Sequence, residues 1–374
     1  MKKIGKEKLL KSCNDTNMRN GEGAFIRLKD GRILHAYTKY GGDGGDDNDT
    51  ACIAAVYSSD EGESWSEDSV LFENPEHSMN VMSVSLLRME NGDLGLIFVR
   101  KYMADGEVMC VPMLYRSSDE GRSFYGGIAI ISHPSYYVLC NDKVIRLKNG
   151  RILLAVSNHR KLVKKGFGGG VVEVYCSDDD GRSFQKLGDD LHSPFNDPGT
   201  RLAEPGLLEL PDGRIWMYIR TGYGHQYQSL SCDNGSSWTP VAANYKLTSA
   251  AAPMTVKNVG KYTVAIWNPM PISEMFSKKI FWGNPKFTRT PFVAAVSLDG
   301  GVSMVEQDFS SRTGEFLPFI ERCYFIEDDY NESYCYPSIY EVQDGFLVAY
   351  YFSNGSNTNL NSTRITKVRF EELE

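Results

Sequence analysis

Residues Ser58 to Trp65 read SSDEGESW, and nearly the same eight residues return four times: SSDEGRSF (Ser117 to Phe124), SDDDGRSF (Ser177 to Phe184), SCDNGSSW (Ser231 to Trp238) and a degenerate SLDGGVSM (Ser297 to Met304). Their leading serines stand between 54 residues (Ser177 to Ser231) and 66 residues (Ser231 to Ser297) apart. Spacing of this size marks a repeat architecture in which each unit is one supersecondary element. Within the octapeptide, Asp and Ser can bond backbone N–H groups, Gly permits the reversed backbone, and the aromatic ring tucks under neighbouring strands. The stretch therefore reads as a structural clip. A ligand role for its Asp, toward calcium or a sugar, is the alternative reading.

A second repeat is interleaved with the first. LKDGRILHAY (Leu28 to Tyr37), MENGDLGLIF (Met89 to Phe98), LKNGRILLAV (Leu147 to Val156), LPDGRIWMYI (Leu210 to Ile219), VKNVGKYTVAI (Val256 to Ile266) and VQDGFLVAYY (Val342 to Tyr351) each set a Gly-containing turn between apolar strands. Asp-Gly and Asn-Gly are strong hairpin signals because both turn positions favour φ > 0. Each unit thus reads strand, tight turn, strand, longer loop, strand, Ser-x-Asp turn, and radially repeated four-stranded meanders make a β-propeller. The reading is all-β: a six-bladed propeller over residues 21–374, with the 1–20 segment helping RITKVRF (Arg364 to Phe370) complete the last blade.

A chain of 374 residues with this pattern is expected to be one closed domain. Its 40 basic and 48 acidic side chains leave a net charge of −8, which gives no electrostatic reason to expect nucleic acid or an anionic membrane as partner. A glycan or other small solute is the expected partner. The eight cysteines form no C-x-x-C pair and no metal-ligand spacing with the six histidines, so no metal and no cofactor is expected. The N-terminal MKKIGKEKLLKSCNDT is basic without the apolar run of a secretory signal, which points to a cytoplasmic protein.

The octapeptide turns resemble the Asp-boxes of the sialidase (neuraminidase) superfamily, whose members are six-bladed propellers, and the resemblance extends from about Gly21 to Phe370. It implies a pocket at the other end of the blades, with three arginines gripping a sugar carboxylate, a Tyr nucleophile with Glu as its base, and an Asp acid/base on a loop. Sialidases depart in this way from the usual pair of carboxylates. In RLAEPGLLELPDGRIWMYIRT, Glu204 resembles the base and Arg220 an arginine of the triad; as plain chemistry the two could equally be an exposed strand pair. Arg289, before the fifth turn, resembles another triad arginine. Tyr336 in SYCYPSIYEVQDG resembles the nucleophile, with Tyr334 as rival two residues away and so on the same face of a regular strand.

The resemblance places the acid/base in GGDGGDDNDT (Gly41 to Thr50), with Asp49 the first choice and Asp47 the second. A solvated acidic loop or a cation site is the alternative. Clustered carboxylates would raise one another's pKa, as a general acid near neutrality needs. The first arginine is the departure: Ala24, in GAFIRL, stands where it is expected, and Arg27 is three residues on and faces the other way. The clamp reads as incomplete, and an Ala24→Arg change is expected to improve sialoside hydrolysis. Arg100, Lys101, Asn141, Asp142, Lys143, His159, Arg160 and Gln226 are candidates to compensate at the rim, with Tyr223 and Tyr227 as contacts or packing residues.

The expected function is an exo-acting glycoside hydrolase for a terminal sialic acid or related acidic sugar, retaining through Tyr336. Two alternatives stand beside it. One is a non-catalytic carbohydrate-binding propeller, and the other an inverting glycosidase for a different sugar that pairs Glu204 with an Asp of the 46–49 stretch.

Overall fold

The computed structural model describes residues 1–41, 44–159, 170–194, 202–269, 289–305, 322–329, 331–353 and 360–374. They form six antiparallel sheets arranged as a six-bladed β-propeller. Blade one runs Arg19–Arg27, Ile33–Tyr40, Ala51–Ser58 and Ser69–Phe72, and blades two, four and five repeat that order from Asn80–Arg88, Ala203–Glu209 and Thr255–Val259. In blade three the inner strand is reduced to two short pairings, Tyr137–Val138 and Ile145–Arg146, on either side of a crossing segment.

The ring closes on the N-terminus. Lys6–Lys11 pairs with Ser362–Arg369 as the outer strand of blade six, whose inner strand is Tyr334–Val342. The N-terminal strand and Ser362–Arg369 thus share one sheet, which gives blade six its four strands. From this strand Lys11 reaches Asp68 of blade one at 2.9 Å, where Lys39 also bonds it at 2.6 Å. Burial alone would raise the Asp68 carboxyl, but the two ammonium groups prevail and hold it down at about 2.

Strand alternation sends one set of side chains toward each neighbouring blade, so the apolar core is divided among the blade interfaces. Leu34 and Phe98 pack between blades one and two, Ile97 and Leu154 between two and three, and Met217 with Val174 between three and four. Trp216 meets Trp267 between four and five, Phe292 meets Tyr350 between five and six, and Phe25 meets Leu347 across the closure. Each fully buried side chain of this kind stabilises by roughly 1.5–3 kcal/mol.

The repeated octapeptide is built the same way in each of its first four copies. Ser58 Oγ donates to Asp60 at 2.8 Å and accepts from Gly62 N at 2.8 Å, while Asp60 Oδ1 accepts from Ser64 N at 2.9 Å. Ser117, Ser177 and Ser231 make the equivalent bonds. Two consecutive residues are left-handed, Glu61 at φ 57° and Gly62 at 82° in the first copy, which accounts for the Gly. In the fifth copy residues Val302–Val305 form a short helix and Met304 is fully buried, so the residue that replaces the ring still plugs its blade.

These turns and the Asp-Gly turns both lie at one rim of the ring. Trp65 ends the first of them, half-buried against the same core cluster as Leu9 of the closing strand, with its ring 6.1 Å from that of Phe25 between centroids. Trp65→Ala is expected to cost about 2–3 kcal/mol, less than a fully enclosed ring would. Chemical denaturation checks the loss; any turnover per folded molecule should be unchanged, because the ring is at the rim away from the cavity described next.

Candidate active site

In a regular strand, side chains face the neighbouring blades and none faces the propeller axis. Four inner strands break that rule at one position. Glu22, Ser83, Glu204 and Tyr336 each have a left-handed backbone, at φ 55°, 63°, 48° and 56°, and each sits where the ladder to the next strand slips register. An extra residue in one strand of a pair bends that strand and re-aims a side chain. All four residues turn into a cavity of about 420 Å³ at the rim opposite the octapeptide turns, beside Asp47, Lys101 and Arg220.

Glu204, Tyr336 and Arg220 form one bonded group. Tyr336 Oη donates to Glu204 Oε1 at 2.9 Å, and Arg220 donates to Glu204 Oε2 at 2.7 Å and stands 3.5 Å from Tyr336 Oη. Burial alone would raise the Glu204 carboxyl, yet the Arg220 charge and hydrogen bond, the Tyr336 bond and the Arg289 charge hold it below its usual range. Glu204 is therefore ionised at neutral pH. Burial, with the Glu204 charge, pushes the Tyr336 phenol well above its usual value, so Tyr336 keeps its proton until an acceptor takes it. Arg289 places its guanidinium 5.9 Å from the Tyr336 ring and bonds Cys335 Sγ at 2.8 Å. Tyr334 does not share this position: the slip at Tyr336 separates them, and Tyr334 is buried against Phe292 and Tyr350.

Of the two acidic-loop candidates, Asp47 lines the cavity and Asp49 does not. Asp49 folds back to accept the Asp46 N–H at 2.7 Å, a bond that shapes the loop. Asn80 donates to the Asp47 and Asp49 carbonyls, both at 2.8 Å, and fixes the loop on blade two. The expectation of carboxyls raising one another also changes. Burial would raise Asp47, but Arg19, bonded to it at 2.6 Å, prevails and holds it below the usual range. Gly42 and Asp43 of the loop, and Arg160, lie outside the described residues.

Arg19 is the arginine that the sequence pattern conceals. Ala24 is fully buried among apolar side chains of blades one and two, so it leaves no vacant arginine position. Arg27 binds Glu61 at the opposite rim. The inner strand instead begins with Arg19, whose guanidinium lies 4.8 Å from the Tyr40 ring and 5.0 Å from that of Tyr351, with Nε donating to Tyr351 Oη at 3.0 Å. Gly21 allows this approach: a Cβ there would fall 1.8 Å from the Tyr351 ring. Counting by twos from Ala24 fails because the bulge at Glu22 intervenes.

Several rim candidates prove to be framework. Between the two short pairings of blade three, the chain crosses beneath the cavity and binds the other blades to one another. Asn141 donates to the Gly23 carbonyl at 2.8 Å, Asp142 accepts from Lys257 at 2.9 Å, and Lys143 donates to Thr255 Oγ1 at 2.6 Å and to the Met254 carbonyl. Lys143 is enclosed, and burial pulls its pKa down. Gln226 is buried on Ser249 and the Ala252 carbonyl, at 2.8 and 3.0 Å. Arg100 points away to Ser78 at 2.6 Å, whereas its neighbour Lys101 lines the cavity and donates to the Asp47 carbonyl at 2.7 Å. His159 lines the wall, and Tyr223 and Tyr227 pack in the core between blades three and four. Glu22 and Ser83 had no signal in the sequence beyond their position near the strand starts. Among the described residues no cluster of His, Cys, Asp or Glu is arranged to hold a metal ion.

A family model described as a BNR repeat-like domain matches residues 31–349. No curated protein sequence matches. Among solved structures, a protein of unknown function from Dyadobacter fermentans superposes with TM-score 0.71 at 16% identity, covering 98% of this chain and 99% of that one. The NanB sialidase from Streptococcus pneumoniae superposes with TM-score 0.69 at 13% identity over 99% of this chain and 71% of its own. The intramolecular trans-sialidase from Ruminococcus gnavus gives 0.65 at 12% over 97% and 96%. At such identities the likeness establishes the fold, and the chemistry rests on the residues of this cavity.

Two substitutions separate framework from site. Lys143→Met leaves Met254 O and Thr255 Oγ1 without their buried donor and should cost about 2–4 kcal/mol, measured by thermal or chemical unfolding. Ala24→Arg drives a guanidinium into a filled apolar interface and should destabilise by about 3 kcal/mol or more; a variant as stable as the parent would show that the interface has room to spare.

Proposed function

For a chain that belongs to the BNR repeat-like domain family, we propose the function of an exo-acting glycoside hydrolase of sialidase type, taking a terminal sialic acid or related acidic sugar and retaining configuration through Tyr336. The observation that carries this reading is the hydrogen bond from Tyr336 Oη to an ionised Glu204 that is itself bonded to Arg220. Its turns take the place of Asp-boxes, and its solved relatives include sialidases.

An anomeric carbon that carries a carboxylate repels an anionic nucleophile. A neutral phenol whose proton leaves as the bond forms avoids that repulsion, and Glu204 is placed to take the proton. Arg220 keeps the carboxylate ready before the attack; once Glu204 has taken the proton and is neutral, the Arg220 charge is left to pair with the substrate's carboxylate. The substrate's carboxylate is assigned to the cationic side of the pocket, where Arg220 and Arg289 flank Tyr336. Among the described residues the Arg289 guanidinium bonds the Cys335 sulfur rather than a carboxylate, which leaves its charge to a ligand.

The test is covalent trapping. A 3-fluoro sialosyl fluoride should add one sugar mass to the wild type, located on Tyr336 by peptide mapping. Tyr336→Phe should abolish the adduct and lower kcat by roughly 10³-fold or more, because a nucleophile acts only through the transition state, and Glu204→Gln should come close to it. A Tyr336→Phe variant with near-parental kcat, or a product of inverted configuration, would end the retaining mechanism.

A further inference from the structure

We propose that Glu22, rather than Asp47 or Asp49, is the carboxylic acid that gives its proton to the departing glycosidic oxygen. The proposal rests on the glycoside-hydrolase reading above. Glu22 occupies in blade one the same left-handed bulge position that carries Glu204 in blade four and Tyr336 in blade six, and all three side chains line the one cavity. It is buried, whereas 63% of the Asp47 side chain is exposed. Ser83 Oγ, from the matching bulge of blade two, donates to Glu22 Oε2 and fixes the carboxyl against the cavity wall.

Arg19 divides the two acids by how closely it holds each. Its Nη1 bonds Asp47 at 2.6 Å, while its Nη2 stands 3.6 Å from Glu22 Oε1, beyond hydrogen-bond distance. Asp47 is thereby kept as a carboxylate and has no proton to give near neutrality. Burial pushes Glu22 up to about 7 against the opposing charge of Arg19, with Asp47 and Glu204 adding like-charge repulsion. Around it also stand the phenols of Tyr40, Tyr336 and Tyr351 and the thiol of Cys110, all raised by burial and neutral in this range, while Lys101, Arg220 and His159 line the same cavity. The buried Cys140 thiol is neutral too. Two neighbouring acids with separated pKa values are the usual sign of divided acid and base roles.

The step balances within the cavity. Tyr336 Oη bonds to the anomeric carbon and passes its proton to Glu204; the glycosidic C–O bond breaks, its electron pair stays on the leaving oxygen, and the Glu22 proton joins that oxygen. In the second step the Glu22 carboxylate takes a proton from the attacking water, and the departing Tyr336 oxygen recovers its own from Glu204.

Wild type, Glu22→Gln, Glu22→Asp and Asp47→Asn are compared on 3′-sialyllactose, whose leaving group needs a proton, and on 4-nitrophenyl sialoside, whose leaving group needs little help. Glu22→Gln should lose roughly 10²–10⁴-fold in kcat/KM on sialyllactose and less than about tenfold on the aryl sialoside, with Glu22→Asp recovering part of the loss. In wild type, sialyllactose turnover should fall as the pH rises through about 7, where Glu22 loses its proton, and Glu22→Gln should lack that limb. Infrared spectra should show a protonated carboxyl at pH 6 that Glu22→Gln removes. Asp47→Asn giving the leaving-group split instead, or a Glu22 already ionised at pH 6, would overturn the assignment. A wild type inert on both sugars despite a protonated Glu22 would overturn the hydrolase reading, and the proton-transfer role with it.

Discussion

A side chain on a regular inner strand cannot reach the propeller axis, and the polar groups that the inner strands bring to the cavity depend on how the chain escapes that constraint. Glu22, Ser83, Glu204 and Tyr336 escape it alike, through a left-handed residue at a register slip. A non-glycine residue held there costs about 1–3 kcal/mol, and persists only where the surroundings over-determine it. Here the surroundings are the apolar interfaces between blades, which hold the rest of each inner strand in place. The interfaces thus sustain the strain that aims the chemistry.

The same principle governs the segment beneath the cavity. A ring of blades has few contacts through its middle, and the crossing residues Asn141, Asp142 and Lys143 bind blades one, five and six to the chain of blade three. Buried polar groups of this kind are tolerable because each finds its partner. Polar character near the axis therefore has two meanings here: below, it joins the blades, and above, it faces the cavity.

Electrostatic pairing distinguishes the acids that line the space above. Glu204 and Asp47 each have a guanidinium within hydrogen-bond distance and stay ionised, while Glu22 has none so close and sits nearer neutrality. Three carboxyls in one cavity thus differ because of which arginine each can reach. Backbone geometry sets that reach: Gly21 lets the Tyr351 ring lie against the inner strand, and Tyr351 Oη holds the Arg19 guanidinium that bonds Asp47.

The sequence by itself determined the architecture, because its signals are local. Ser58 to Trp65 and the Asp-Gly hairpins fix their own turns through bonds spanning a few residues, and their recurrence counts the blades. It also pointed to Glu204, Arg220 and Tyr336, which lie near strand ends that the turns locate, and the structure brings those three within hydrogen-bond distance. It could not separate Asp47 from Asp49, recognise Lys143 as framework, or find Arg19 and Glu22. Those assignments turn on single-residue bulges and on contacts between residues tens to hundreds of positions apart, such as Glu22 with Ser83 and Lys143 with Thr255. A period-two pattern carries no record of a bulge, and a slip of one residue exchanges the faces of a strand. Only the closed ring decides which side chains meet at its axis.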